Sequence, residues 1–156
     1  MSPRAACRLV ALGFGRVYDY TPGKVDWLAH GLPGEGLRAN DPTAGSLARH
    51  DVATFPPDAS TGDMRRAIAD SPYGYALVLS PGAVVLGRVR KSALDALSDG
   101  DPIDTVLEPR PQTIRPHLTE GKLQERFEAY GSRTLVVTRP DGTLIGVVRR
   151  DDIATV

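Results

Sequence analysis

Residues 54–90 read TFPPDASTGDMRRAIADSPYGYALVLSPGAVVLGRVR, and residues 113–149 read TIRPHLTEGKLQERFEAYGSRTLVVTRPDGTLIGVVR. Thr54, Pro57, Gly62, Gly87, Val89 and Arg90 of the first stretch recur 59 residues later as Thr113, Pro116, Gly121, Gly146, Val148 and Arg149. Between these anchors the register reads as slipping by one. Leu77 and Val78 answer to Leu135 and Val136, and the slip is taken up where Ser80-Pro81-Gly82 faces Thr138-Arg139-Pro140-Asp141-Gly142. A period this long marks a supersecondary unit that buries its apolar face against its copy. Two halves related by a pseudo-twofold axis are therefore expected.

Within the first unit, Ser60 and Asp63 have the spacing of a capping box, and Met64, Ala67 and Ile68 follow at helical spacing. Tyr75 to Leu79 and Val84 to Val89 are β-rich runs around a Pro-Gly turn and predict an antiparallel hairpin. Lys91 to Leu97 predicts a second short helix. In the second unit Thr119 stands as the cap of a helix carrying Leu123 and Phe127, Thr134 to Val137 pairs with Thr143 to Val148, and Asp151 to Thr155 forms the last helix. The fold class is thus mixed α+β: two repeats, each a small sheet with two helices. The repeats span 51–98 and 106–156, with Ser98 to Pro102 as an exposed polar connection.

Upstream, residues 1–36 have a different character: an amphipathic helix over Pro3 to Leu12, a Gly-Phe break, a strand at Arg16 to Tyr20 and a helix around Lys24 to His30, an α-β-α segment. Residues 37–50, rich in small and polar side chains without periodicity, read as a linker. Nineteen basic residues balance nineteen acidic ones, which leaves no bulk attraction to nucleic acid or to an anionic membrane. No apolar run approaches the roughly 20 residues of a membrane span, and the N-terminus lacks the pattern of a signal peptide. A single cysteine, Cys7, rules out an internal disulfide, and a cytoplasmic location is expected.

The two units resemble CBS domains, the family named after cystathionine β-synthase. The resemblance rests on the first strands with their prolines (Ala53 to Pro57 and Gln112 to Pro116), the capped helices, and the glycine strands Leu86-Gly87-Arg88-Val89 and Ile145-Gly146-Val147-Val148. It implies two repeats joined through their sheets, further association into a homodimer, and clefts that in many members hold an adenosine-type ligand. A frequent pattern in the family is Thr or Ser, two residues, then Asp, whose carboxylate accepts hydrogen bonds from ribose hydroxyls. Here Asp152 holds the acidic position of the second repeat with Arg149 in place of the hydroxyl, while the first repeat has Arg90 and Ala93. The ligand-binding candidates are therefore Arg149 and Asp152, Arg90 for phosphate, Thr54 and Thr113 with Ile114 on the first strands, and Tyr75, Arg133 and Thr134 at the starts of the central strands. The implied ligands are an adenine nucleotide or S-adenosylmethionine, and no cofactor is required.

Ser2 to Leu9, Leu12-Gly13-Phe14, Val17 to Tyr20, Trp27 and Gly31-Leu32-Pro33 resemble the closing part of a rhodanese domain. The catalytic cysteine of that family lies in a loop ahead of the matching helix, and Cys7 maps inside the helix, so no catalytic role carries over. About 36 residues cannot supply the family's sheet. The segment's apolar side chains are expected to dock on the repeats or across a dimer; alternatively the chain is truncated. His30, His50 and His117 are isolated, and no nucleophile motif, metal-ligand spacing or helix-turn-helix pattern is present. The reading is a non-catalytic regulatory module sensing an adenosine-type nucleotide or mediating assembly. Its alternatives are a structural dimerisation unit with empty clefts and a remnant sulfurtransferase.

Overall fold

The apolar runs of the two repeats become the central strands of two small sheets. The computed structural model describes residues 3–36 and 39–153. After helices α1 (Pro3–Ala11) and α2 (Gly23–Ala29), the first repeat contributes β1 (Thr54–Phe55), α3 (Thr61–Ala69), β2 (Tyr75–Leu79), β3 (Val85–Arg90) and α4 (Lys91–Leu94). Strand β4 (Glu108–Pro109) completes its sheet in the order β1-β2-β3-β4. The second repeat is β5 (Thr113–Ile114), α5 (Glu120–Tyr130), β6 (Thr134–Thr138) and β7 (Leu144–Arg149), and its sheet has the order β5-β6-β7. In each, the short first strand runs parallel to the central one and the hairpin is antiparallel.

The central strands are buried on both faces, which is why they read as continuous apolar runs and not as an alternation. Ala76 and Val78 point to a core with Met64, Ile68, Val89, Leu94 and Ile103, whereas Tyr75 and Leu77 point to the seam between the sheets. In the second repeat Leu135 and Val137 join Ile114, Leu123, Phe127 and Val148, and Val136 meets the seam with Val147. At this seam Tyr75 donates its hydroxyl proton to Thr134 Oγ1 at 3.0 Å, Val84 bridges Thr143, Val85 N–H donates to Gly142 O at 3.1 Å, and Leu144 N–H donates to Ala83 O at 2.9 Å. Each bond exchanges its partners under the 59-residue repeat, as an isologous contact about a twofold axis requires.

The expected register slip does not exist. Thr54 lies beside Leu77 and Thr113 beside Val136, so Leu77 corresponds to Val136, and the offset of 59 holds through the hairpin. A one-residue slip would turn a strand's core face to the seam, and Leu77 shares the seam with Val136. In the turn Ala83, at φ 60°, takes the left-handed position that Gly142 holds at φ 90° in the second repeat. A glycine is favoured there because it has no Cβ, and the Leu-Val pairs that suggest the slip, Leu77-Val78 and Leu135-Val136, stand 58 residues apart, one out of register.

Other expectations need adjustment. Ser60 and Thr119 stand at the N-cap positions in extended backbone, but neither makes a side-chain cap hydrogen bond, and Asp63 pairs with Arg66 instead. The second helix ends at Leu94, short of Leu97, and the chain closes on a 3-10 turn at Arg150–Asp152; of the expected last helix, Ala154 and Thr155 lie outside the described residues. Residues 16–20 are not a strand, since no neighbouring edge offers them a ladder. The N-terminal segment meets the second repeat at its end, where Leu28, Ala29 and Gly31 to Gly34 line one cavity with Thr43, Ser46 and Ile145 and Ala29 is buried, but its first helix stays out in solvent. Helix α1 buries none of its residues, and Val10, Leu12, Phe14 and Tyr18 are 60%, 66%, 59% and 85% exposed. Its second helix is also ordered locally: Tyr20 and Trp27 meet edge to face at 5.2 Å, and Trp27 Nε1 donates to Pro33 O at 2.8 Å.

The stretch read as a linker is partly structural. Ala44 is fully buried in the core of the second repeat, Thr43 bridges Thr119, and Arg49 exchanges two backbone hydrogen bonds of 2.9 Å with Val147. Residues 43–49 are thus a strap laid on the second repeat, and residues 103–109 lie on the first in the same way, with Ile103 in its core and β4 against β3. Gly146 and Gly87 make room for them, because a Cβ would stand 2.4 Å from Arg49 O at Gly146, and 2.8 Å from Glu108 O at Gly87. Among the described residues no helix is long and apolar enough to cross a membrane.

Candidate functional site

The two halves of the seam end in a cleft of about 750 Å³. Ser71 to Tyr75 and Tyr130 to Thr134, the turns that lead into the two central strands, form opposite walls. Arg88 and Arg90 from β3 and Glu108 to Gln112 from the strap close the remaining side. Tyr75 is fixed by its hydrogen bond to Thr134, and burial pushes its phenol pKa up. The Arg88 guanidinium lies 6.0 Å from the Tyr75 ring centroid.

Charge in the cleft is one-sided. Arg88, Arg90, Arg110 and Arg133 face a single carboxylate, Glu108. Glu108 accepts from Arg88 Nε at 2.7 Å and from Arg90 Nε at 2.5 Å. Burial pushes the Glu108 carboxyl up, but the hydrogen bonds from Arg90 and Arg88 outweigh it and hold the group below its ordinary range. Among the described residues no carboxylate pairs with Arg110 or Arg133. Arg110 also adopts φ 55°, a left-handed conformation that a side chain rarely takes and that clusters at binding sites.

Of the sequence candidates, Tyr75, Arg90, Arg133 and Thr134 come together in this cleft. Thr54 and Thr113 are exposed on the first strands outside its lining, and the Ile114 side chain belongs to the hydrophobic core. Arg149 and Asp152 stand elsewhere. Asp152 is held by Arg49, whose Nε and Nη2 donate to its two oxygens at 2.7 and 2.5 Å, while Arg149 Nη2 donates to Asp151 at 3.1 Å. Beside this pair Tyr73 donates its hydroxyl to Asp51, and burial followed by that bond pushes the phenol pKa well up.

Sequence reading missed Arg88, Glu108, Arg110 and Ser132. The signal was present upstream: at the same offset of 59, Arg49 and Asp51 answer to Glu108 and Arg110 with their charges reversed. His30 and His50 are exposed, His117 is half-buried, and no group of metal-ligating side chains occurs among the described residues.

The Arg49 hydrogen bonds hold the Asp152 carboxyl below its ordinary range. A carboxylate with a depressed folded pKa contributes stability above its unfolded value, about 3.9 for Asp, and loses it as pH falls through the folded value. Asp152→Asn is therefore expected to lower the urea midpoint at pH 7, with the gap from wild type closing in acid. A gap unchanged between pH 7 and pH 3 would show that the Arg49 pair is not its source.

Residues 103–156 match the CBS domain family model. Solved structures of CBS pairs share the fold. The CBS domains of a transcriptional regulator from Streptococcus pneumoniae are 22% identical with a TM-score of 0.63, over 71% of this chain and 95% of that one. CBSX2 in complex with AMP is 17% identical with a TM-score of 0.59, over 72% and 92%. The cytosolic domain of the magnesium channel MgtE in complex with ATP is 19% identical with a TM-score of 0.63, over 72% and 47%, so the chain spans about half the length of that structure. No curated protein matches the chain.

Proposed function

We propose that the chain is a non-catalytic regulatory module whose seam cleft takes an adenosine-type nucleotide through its phosphates. The carrying observation is the cleft itself: four guanidiniums around one carboxylate, two of them with no carboxylate partner among the described residues, beside the buried Tyr75. Its volume of about 750 Å³ lies within the usual range for small-molecule sites. Guanidiniums suit phosphate oxygens because their fork of N–H donors matches the oxygen pairs. ATP and AMP in the structures of MgtE and CBSX2 support the ligand class. The reading takes the repeats at 51–98 and 106–156 as one module, in the cytoplasm and as a homodimer, needing no cofactor. The segment at 1–36 resembling a rhodanese end brings no catalytic group to it.

Thermal melting with AMP, ADP, ATP and S-adenosylmethionine tests the proposal. Ligand at 100 times its Kd stabilises a native state by about 2.7 kcal/mol. The phosphorylated compounds are expected to raise the melting temperature of wild type, and Arg133→Ala, an exposed change, to abolish the rise while leaving the unliganded melt unchanged. Absence of any shift in wild type would replace the reading with a structural dimerisation unit.

A further inference from the structure

Arg49 and Glu108 are equivalents in the repeat. Each lies on a strap whose backbone crosses a glycine, Gly146 or Gly87, and each directs a charge toward the end of its hairpin. Their charges are opposite, and so are the consequences. Glu108 draws in Arg88 and Arg90, and Arg110 and the small Ser132 line the same cleft. At the equivalent position Tyr73 replaces Ser132 and is bonded to Asp51, the equivalent of Arg110, while the Arg49 guanidinium covers both oxygens of Asp152.

That grip is specific in its geometry. A guanidinium donating to both carboxylate oxygens occupies the acceptor pair that two vicinal hydroxyls of a ribose would use. It is also tethered. The Arg49 backbone is bonded both ways to Val147, so the side chain stays at a high effective concentration beside Asp152. Any ligand seeking Asp152 must first displace it, and its apparent affinity falls by the fraction of time the carboxylate is vacant.

We infer that Arg49 is a built-in occupant of the second, pseudo-symmetric ligand position, so that the pair takes one nucleotide, at the seam cleft, and gains a second only when Arg49 is removed. In the vacated position Asp152 accepts the ribose hydroxyls and Arg149, freed to turn from Asp151, meets the phosphate. The inference rests on the nucleotide reading for its ligand class, and it separates from that reading because each cleft has its own residue to remove.

The experiment is calorimetric titration of AMP and of ATP into wild type, Arg49→Ala and Arg49→Gln, with circular dichroism confirming that each is folded. The glutamine variant retains polarity at the strap should the alanine variant lose its fold. The expected result is one site per chain in wild type and two in the variants, the added site vanishing on further Asp152→Ala substitution and the original on Arg133→Ala. Two sites in wild type, or the same number in wild type and the Arg49 variants, overturns the inference. If wild type binds neither compound but the Arg49 variants bind one, the proposed seam site fails and the role of Arg49 stands.

Discussion

Phe127→Ala is expected to be the most damaging single substitution in the molecule, costing about 3 to 5 kcal/mol. Phe127 is the largest fully buried side chain and sits in the core of the second repeat against Leu123, Ile114, Leu135, Val137, Val148 and Ala44 of the strap. Removing the ring forfeits its transfer free energy and leaves a cavity between helix α5 and a sheet that cannot close on it. A domain has only about 5 to 15 kcal/mol in total, so a large share of its stability goes. Urea denaturation checks this, and the melting temperature is expected to fall by about 10 °C or more. A loss under about 1 kcal/mol would mean that the ring is not the centre of that core.

Gly146→Ala comes next, at about 3 kcal/mol, the upper end of the usual cost of overpacking. The new methyl would stand 2.4 Å from Arg49 O and 3.2 Å from Ala48 Cβ, and backbone cannot swing aside as a flexible side chain can. The strap must lift, breaking the paired hydrogen bonds between Arg49 and Val147, withdrawing Ala44 from the core and taking Arg49 from Asp152. Stability and amide exchange at Arg49 and Val147 read the two consequences together. Gly121→Ala in helix α5, with nothing within 4 Å of the new methyl, is the control. Slow exchange at both amides in Gly146→Ala would show that the strap tolerates the methyl.

The elements legible in the sequence were those with local causes. Met64 and Ile68, or Leu123 and Phe127, recur at helical spacing because one helix face is buried, and both helices formed where that spacing put them. The hairpins were marked by Pro-Gly and Asp-Gly turns and by runs of β-branched residues. Local identity also misled: a Leu-Val pair occurs in both central strands, one residue out of register, and only the pairing of Thr54 with Leu77 and of Thr113 with Val136 corrects it. The apparent strand at Arg16 to Tyr20 had the composition but no partner edge.

Half of the candidate site was visible for the same reason. Tyr75, Arg90, Arg133 and Thr134 sit at the ends of elements that the pattern located, and the pseudo-twofold axis gathers them. Glu108 and Arg110 were hidden in a stretch without periodicity, and the fate of Asp152 depended on a partner 103 residues away.

By itself the sequence determined the duplication, the mixed α+β class and, in each repeat, the helix and hairpin that follow the first strand, because repeat spacing and apolar period act within each unit. Only the tertiary structure decided the rest: which strap lies on which repeat, that Gly146 and Gly87 admit them, that one carboxylate meets Arg49 while a neighbouring cleft gathers four guanidiniums around Glu108. These depend on through-space distances between residues far apart in the chain, and opposite charges at equivalent positions of a repeat acquire their meaning only when the fold assigns each its neighbour.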